Sequence, residues 1–397
     1  MKSILTLQVC FLVLFLPAYL NALEWSEQEF IKLKQFSALN IGGRRDPSNK
    51  FTSNVEAIKF GRMLFSSSQL SNDGRVSCAS CHIAKRAFTD NRVVPRGRRR
   101  GFRNTPTLLN VSEQNWFFWD GGKDSLWAQA LSAIENPAEQ DFSRTQLFHL
   151  ISTNRTYRDT YEKLFNHRLP DEKHLRAYPY KASISGSRSE KNKWEQLSVE
   201  QKSNINRAFA NIGKAIAAYV TTIKSPPTCF DRFLKQLLRT GRSQILNDSE
   251  QKGLKLFIGD AACSNCHSSS IFSDRMFHNI GTGIPAVDNG RSDVIGAVIQ
   301  DDFNCLGEYS DARQEQCTAL LYANTDRYTL MGSYKTPTLR SISKTAPYFH
   351  DGRYENLYEV LRHYSNVDSA IAGITDLSVV NLSREEQKNI IDFLLSL

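Results

Sequence analysis

The chain has 397 residues, 41% of them hydrophobic and 23% charged, with a formal net charge of +9. A mean hydropathy of -0.41 excludes a polytopic membrane protein, and 23 Phe with 14 Tyr supply enough apolar surface for a large core, which excludes disorder. The positive excess is small and scattered, which argues against nucleic acid as a partner.

The first element is an apolar run, residues 4–20, placed after Lys2 and ending near Asn21-Ala22. A basic start, an apolar middle and a small residue before the cut describe a secretory signal peptide, residues 1–22. Gln8 and Pro17 interrupt the run, and it is short for a full span, so no membrane span is expected after cleavage. The mature chain is then expected in the periplasm or an equivalent exported compartment, where disulfides persist. Ser26-Glu-Gln-Glu29 is a capping box that opens a helix.

Next comes Cys78-Ala-Ser-Cys81-His82. Residues 182–196 are polar and rich in Ser and Lys, and read as a solvated insertion. Ser198-Val-Glu-Gln201 opens a second capped helix, in which Ala208, Ile212, Ile216 and Val220 share one face. Pro226-Pro227 closes it and marks the approach to a boundary. A second frame, Cys263-Ser-Asn-Cys266-His267, follows. Cys305 and Cys317 bracket a turn-rich stretch and suit a local disulfide. Setting Cys10 aside with the signal peptide leaves Cys229 as the odd thiol. Ser383-Arg-Glu-Glu386 caps the last helix, which carries Ile390, Ile391, Phe393, Leu394 and Leu397. Little reads as sheet.

C-x-x-C-H is the attachment signature of c-type haem. Two thiols at this spacing each form a thioether with a haem vinyl group, and the adjacent His becomes an axial iron ligand. A redox dithiol or half a zinc site is the alternative, and two His-terminated frames in one exported chain weigh against it. Two covalent haem c groups are therefore expected, on Cys78 and Cys81 with His82, and on Cys263 and Cys266 with His267.

The two halves repeat one template. Gly61-Arg-Met-Leu64-Phe65 and Gly253-Leu-Lys-Leu256-Phe257 precede the two frames. Thr105-Pro106-Thr107-Leu108 matches Thr336-Pro337-Thr338-Leu339, and Phe118-Trp119-Asp120-Gly121 matches Phe349-His350-Asp351-Gly352, both at an offset of 231. The expectation is an all-α chain of two tandem domains, 23–235 and 236–397.

These residues resemble the bacterial di-haem cytochrome c peroxidases and the related MauG enzymes. The specific stretches are Arg103-Asn104-Thr-Pro-Thr, Phe118 to Gly121, Gln129, Glu135-Asn-Pro-Ala-Glu139, and Thr345-Ala346-Pro347-Tyr-Phe-His-Asp-Gly352. The resemblance covers nearly the whole mature chain and is weakest in 23–50 and in the inserts at 166–198 and 285–330. It implies two cytochrome c-like domains whose haems flank the domain interface. The amino-terminal haem would react with hydrogen peroxide, and the carboxyl-terminal haem would relay electrons from a small cytochrome or copper protein. In the MauG branch the oxidised substrate is instead a partner protein, and a plain electron carrier is the third reading.

The resemblance also implies roles for single residues. Tyr364 takes the second iron's sixth position, where the peroxidases generally carry Met and MauG carries Tyr; His363, Met276 and Met331 are the rivals. A phenolate stabilises oxidised iron more than a thioether does. No His lies between 83 and 148, so the first iron keeps an open sixth position. Glu139 falls at the catalytic glutamate and Gln129 at its companion, with Glu135 as the neighbouring acid. Six Arg between 92 and 103 suit haem propionates or an acidic partner, or simply a solvated loop. Trp119 falls between the haems. Asn104, with the carbonyls of Thr345 and Pro347, falls at an inter-haem Ca²⁺ site, oxygen donors being what that ion takes. The chain departs from MauG at Ala261, where that enzyme's relay carries Trp.

Overall fold

The computed structural model describes residues 23–42, 45–284, 286–366, 372–375 and 377–397. The signal-peptide expectation lies outside these residues. Among the described residues the secondary structure is helical. The only strands are Phe277–His278 and Tyr334–Lys335, which pair antiparallel. No described helix is long and apolar enough to cross a membrane.

Each half is built around one helix crossing. Val55–Ser66 packs on Val199–Thr221, and Asp248–Ile258 packs on Arg384–Leu395. Both crossings turn on a glycine. A Cβ on Gly61 would stand 1.9 Å from the Ala215 carbonyl oxygen, and one on Gly253 would stand 1.9 Å from that of Asn389. The absent side chains let the backbones touch, and Phe60, Leu64 and Phe257 fill the space beside them. Gly61→Ala or Gly253→Ala should each cost about 1–3 kcal/mol or more through overpacking, read as a lower Tm of the holoprotein.

The repeat seen in sequence extends to hydrogen bonds. The Thr107 hydroxyl donates to the Ala87 carbonyl at 2.5 Å, and its counterpart Thr338 donates to Ile271 at 2.7 Å. Phe117 bridges Lys123 as Tyr348 bridges Tyr354, and Phe118 and Phe349 both sit at positive φ. Equivalent bonds also join the halves. Asn104 N–H donates to the His350 carbonyl at 2.6 Å, while Lys335 N–H donates to that of Trp119 at 2.8 Å. Each half thus grips the other's aromatic-Asp-Gly loop, so the interface has an approximate two-fold axis. Arg103 fastens it further, reaching Asp120 of its own half and forking onto Asp288 of the other at 2.8 and 2.6 Å.

The two cores do not divide the chain at the expected points. Leu33 and Phe36 belong to the second core, where Phe36 stacks on Phe272 with ring centroids 4.7 Å apart. So do Phe230, Phe233 and Leu234, which lie before residue 236. In exchange Phe303 and Tyr309 of the second-half insert pack into the first core. The capped helix Glu27–Lys34 has an apolar face but no core of its own, and the Phe cluster of the second half covers it.

The insertion at 182–196 is likewise not a plain solvated loop. It contains the helix Arg188–Glu195, opened by the capping box Ser187 to Glu190. Trp194 is buried there, with the Arg144 guanidinium 5.2 Å from its ring centroid. Cys305 and Cys317 form the disulfide. Cys229 is not a free thiol, because it too is disulfide-bonded.

Candidate haem sites and active site

The first frame begins as one helical turn, Cys78–Cys81, and the backbone leaves helical geometry at His82. That exit brings the His82 ring back over its own chain, where Nδ1 meets the Phe88 carbonyl at 3.0 Å. In the second frame His267 Nδ1 meets the Phe272 carbonyl, also at 3.0 Å. A carbonyl accepts only, so Nδ1 carries the proton and Nε2 keeps its lone pair for a metal. Burial holds both imidazoles below their ordinary pKa, hence neutral.

The four thiols are unpaired. Burial, reinforced by the Glu139 charge, pushes Cys78 up to about 12. Cys81 rises to about 11 and Cys263 to about 12, again chiefly through burial. Redox dithiols need the opposite shift. Zinc is no better served. The one described group of metal-type donors is Cys266 with Asp274 and His278, and it omits Cys263 and His267. Two thiols beside a neutral imidazole with a free Nε2 are the set that covalent haem attachment uses. Holoprotein should therefore give two haems per chain in a pyridine haemochrome assay, with none extracted by acid–acetone.

The two halves differ in what stands near each frame. Tyr364 lies in the last turn of the helix Leu357–Ser365. Burial raises its phenol pKa, and the nearby Cys263 and Cys266 raise it further, which places the ring at the second frame. His363 faces elsewhere. Its Nε2 meets the Ile280 carbonyl at 2.7 Å and its Nδ1 the Tyr354 hydroxyl at 3.1 Å. Met276 is exposed. Tyr364→Met should keep the second iron six-coordinate and raise its reduction potential, checked by potentiometric titration of the holoprotein.

The matching helix of the first half is Leu126–Glu135. At the offset of 231, Tyr364 corresponds to Ala133, which is buried and has no donor atom. Gln129 stands one turn before Ala133 on the same face. Past the helix end the chain doubles back through Asn136, whose side-chain amide donates to Glu139 at 2.7 Å. Burial pushes the Glu139 carboxyl above its ordinary range, and its charge is felt by Cys78 and Cys81. Glu135, the neighbouring acid, is occupied. Arg144 clasps it through Nε at 2.9 Å and Nη2 at 2.7 Å, and also donates its backbone N–H. That is a helix-joining ion pair, and it engages both carboxylate oxygens.

The arginine-rich loop packs on the same turn. Arg98 and Arg99 N–H donate to the Glu139 and Ala138 carbonyls, both at 3.0 Å. Arg98 also pairs with Asp73 at 2.5 Å, while Arg92, Arg96, Arg99 and Arg100 are at least partly exposed.

Trp119 sits where the halves meet. Its indole Nε1 donates to the Asn104 carbonyl at 2.8 Å, and its own carbonyl is the one held by Lys335. Asn104 is buried, and its side-chain amide donates to Arg92 at 2.7 Å, which turns the oxygen Oδ1 the other way. Thr345 and Pro347 flank the Ala346 carbonyl, which Asn91 holds at 2.9 Å across the interface. Sequence reasoning did not single out Ala133, Lys335 or the Arg103–Asp288 pair. The 231 offset was the signal for the first two, since Lys335 is the counterpart of Asn104.

A family model described as di-haem cytochrome c peroxidase matches residues 55–238. Curated relatives extend the match across both halves. The methylamine utilization protein MauG of Methylophilus methylotrophus is 28% identical over 355 residues, 88% of this chain and 84% of that one. Residues 55–238 thus match the di-haem cytochrome c peroxidase family, and the likeness to its MauG members runs through both halves. The cytochrome c551 peroxidase of Nitrosomonas europaea is 28% identical over 307 residues, 75% of this chain and 70% of that one. Among solved structures, a MauG-like protein associated with microbial copper homeostasis superposes with a TM-score of 0.61 at 24% identity, covering 89% of this chain and 91% of the other. The diheme peroxidase BthA from Burkholderia thailandensis also gives 0.61, at 18% identity and 89% coverage of each chain. These likenesses show the fold, two tandem cytochrome c-like domains. The family and the two attachment frames together give two haem c groups.

Proposed function

We propose that the chain is an exported di-haem enzyme that reduces hydrogen peroxide to water with electrons from a small cytochrome or copper protein. The observation that carries this reading is the asymmetry of the duplicated helix. The second half has Tyr364 near its frame, whereas the first has Ala133 at the equivalent position and the Glu139 carboxyl near Cys78 and Cys81.

When bound, the first haem supplies an iron at which peroxide can be held and reduced. The chain's residues supply the rest. Reduction of H₂O₂ consumes two electrons and two protons and breaks the O–O bond. Glu139 takes the proton from the inner oxygen and returns it to the outer one, so that water leaves rather than hydroxide. Gln129, one turn away, orients the peroxide by hydrogen bonding. Trp119 joins the halves and is the route by which an electron entering through the carboxyl-terminal domain reaches the amino-terminal one. Asn104 with the Thr345 and Pro347 carbonyls would hold a Ca²⁺ ion that keeps this interface closed. The apolar leader and the Cys305–Cys317 disulfide support a periplasmic or otherwise exported location.

Tyr364 favours a second reading, a MauG-type oxidase acting on residues of a partner protein. Ala261, where the MauG relay would need Trp, weighs against it. Steady-state consumption of H₂O₂ by the holoprotein, with and without a reduced donor cytochrome, separates the two. Turnover that depends on the donor supports the peroxidase. Peroxide consumption that no donor accelerates sinks it.

A further inference from the structure

The phenol of Tyr354 and the imidazole of His363 form a hydrogen-bonded pair that the peroxide chemistry proposed above does not use. Tyr354 Oη meets His363 Nδ1 at 3.1 Å, and His363 Nε2 meets the Ile280 carbonyl at 2.7 Å. A carbonyl only accepts, so Nε2 carries a proton and the ring is fixed from that side. Burial favours the neutral imidazole. Nδ1 then offers a lone pair, and the phenol O–H donates to it. Such a pair suits electron loss. An oxidised phenol is a strong acid, so its electron leaves readily only where a base already stands at the end of the O–H bond.

The pair also lies in ring-to-ring contact with Tyr364. The His363 and Tyr364 centroids are 5.7 Å apart. Phe349 packs on all three rings, with its centroid 5.1 Å from Tyr354, 5.0 Å from His363 and 6.2 Å from Tyr364. Tyr364 in turn is near enough to Cys263 and Cys266 to feel their charge. A continuous run of aromatic rings thus leads from the second frame to the half-buried Tyr354.

The duplication shows that the fold does not require this pair. At the offset of 231, Tyr354 corresponds to Lys123 and His363 to Ser132. The backbone bridge of Phe117 to Lys123 nevertheless repeats as that of Tyr348 to Tyr354, and both following helices form. Lys123 pairs with Asp301 instead. The phenol and its imidazole are therefore found only in the half that also carries Tyr364.

We propose that Tyr354 is a redox-active tyrosine that holds one oxidising equivalent when hydrogen peroxide arrives and no donor protein is bound. This rests on the peroxide chemistry proposed above. H₂O₂ gains two electrons, takes two protons from solvent and breaks its O–O bond to give two waters. One electron comes from the haem irons and the other from Tyr354. The Tyr354 O–H bond breaks, its proton forms an N–H bond at His363 Nδ1, and a neutral tyrosyl radical remains.

Holoprotein mixed with H₂O₂ without donor and freeze-quenched should show a radical signal by electron paramagnetic resonance. Growth on ring-deuterated tyrosine should narrow that signal. Tyr354→Phe should keep two haems and lose it. His363→Gln still offers an oxygen to the phenol but cannot keep the proton, so the signal should appear about 10²-fold more slowly, the lower end of what a positioned proton acceptor contributes. A phenol that merely tethers its turn would give no signal. Haem absorbance that responds to peroxide with no tyrosyl signal overturns this proposal and leaves the peroxidase reading intact, whereas absorbance that does not respond sinks both. A signal that persists in Tyr354→Phe places the radical elsewhere and overturns the proposal. If Tyr354→Phe does not fold, His363→Gln protein that forms the radical at the parent rate overturns it equally.

Discussion

Glu139→Gln should slow the reaction with peroxide by about 10²- to 10⁴-fold, the usual contribution of a general acid–base group, while leaving two haems on the chain. The substitution keeps the shape of the side chain and its contact with Asn136, which is 2.7 Å away, and removes only the capacity to hold a proton. The pH profile carries the same information. Burial raises the Glu139 carboxyl above the ordinary carboxylate range. The deprotonated form is the one that accepts the peroxide proton, so kcat/KM should fall as pH drops through that raised value. The acid limb should therefore lie at a higher pH than an exposed carboxylate would give, and Glu139→Gln should abolish it. Rapid mixing of holoenzyme with peroxide across pH measures both. Glu135→Gln is the control. Its carboxylate is clasped by Arg144, so the change should lower stability and leave the acid limb in place. If Glu135→Gln removes the limb and Glu139→Gln does not, the wrong carboxylate has been assigned.

Most of this architecture could be read before any coordinates, for reasons that differ between features. The haem frames are local: the donors sit within five residues, so spacing alone defines them. The capped helices are local too, and the boxes at Ser26, Ser198 and Ser383 all form. The membership of the cores was not legible. Whether Leu33 and Phe36 pack forward or back along the chain depends on which half has an uncovered apolar face, and no periodicity reports that. Trp194 illustrates a similar limit. A Ser- and Lys-rich stretch reads as solvated, and one buried ring, matched to the distant Arg144, turns it into a docked helix. The separation of Glu135 from Glu139 also needed the fold. Both are acids four residues apart, and what distinguishes them is an arginine at 144 that takes one of the two. Internal duplication carried the reading furthest, because comparing a position with its own copy requires no other protein.

That comparison leads to the other large effect. Ala133→Tyr should abolish the reaction with peroxide and leave the first haem attached. The two helices Leu126–Glu135 and Leu357–Ser365 occupy equivalent places, and Tyr364 stands in the second at the position Ala133 holds in the first. Ala133 is buried, and a methyl group there leaves the space beyond it to a small ligand. On the proposed function, a phenol in its place would stand near the first frame as Tyr364 stands near Cys263 and Cys266 in the second, and would take the position that peroxide needs. Ala133→Phe separates the two ways this could fail. It fills the same space without an oxygen, so it should slow peroxide entry yet leave the first iron without a sixth protein ligand. Electron paramagnetic resonance of the oxidised holoprotein should then show two six-coordinate centres in Ala133→Tyr and one in Ala133→Phe. Activity lost equally in both, with no change in coordination, would mean the site was merely crowded. Two six-coordinate centres in the parent protein would be the more serious outcome. They would show that the first half already closes its own iron, and that the peroxide chemistry assigned to Glu139 lacks a place to occur.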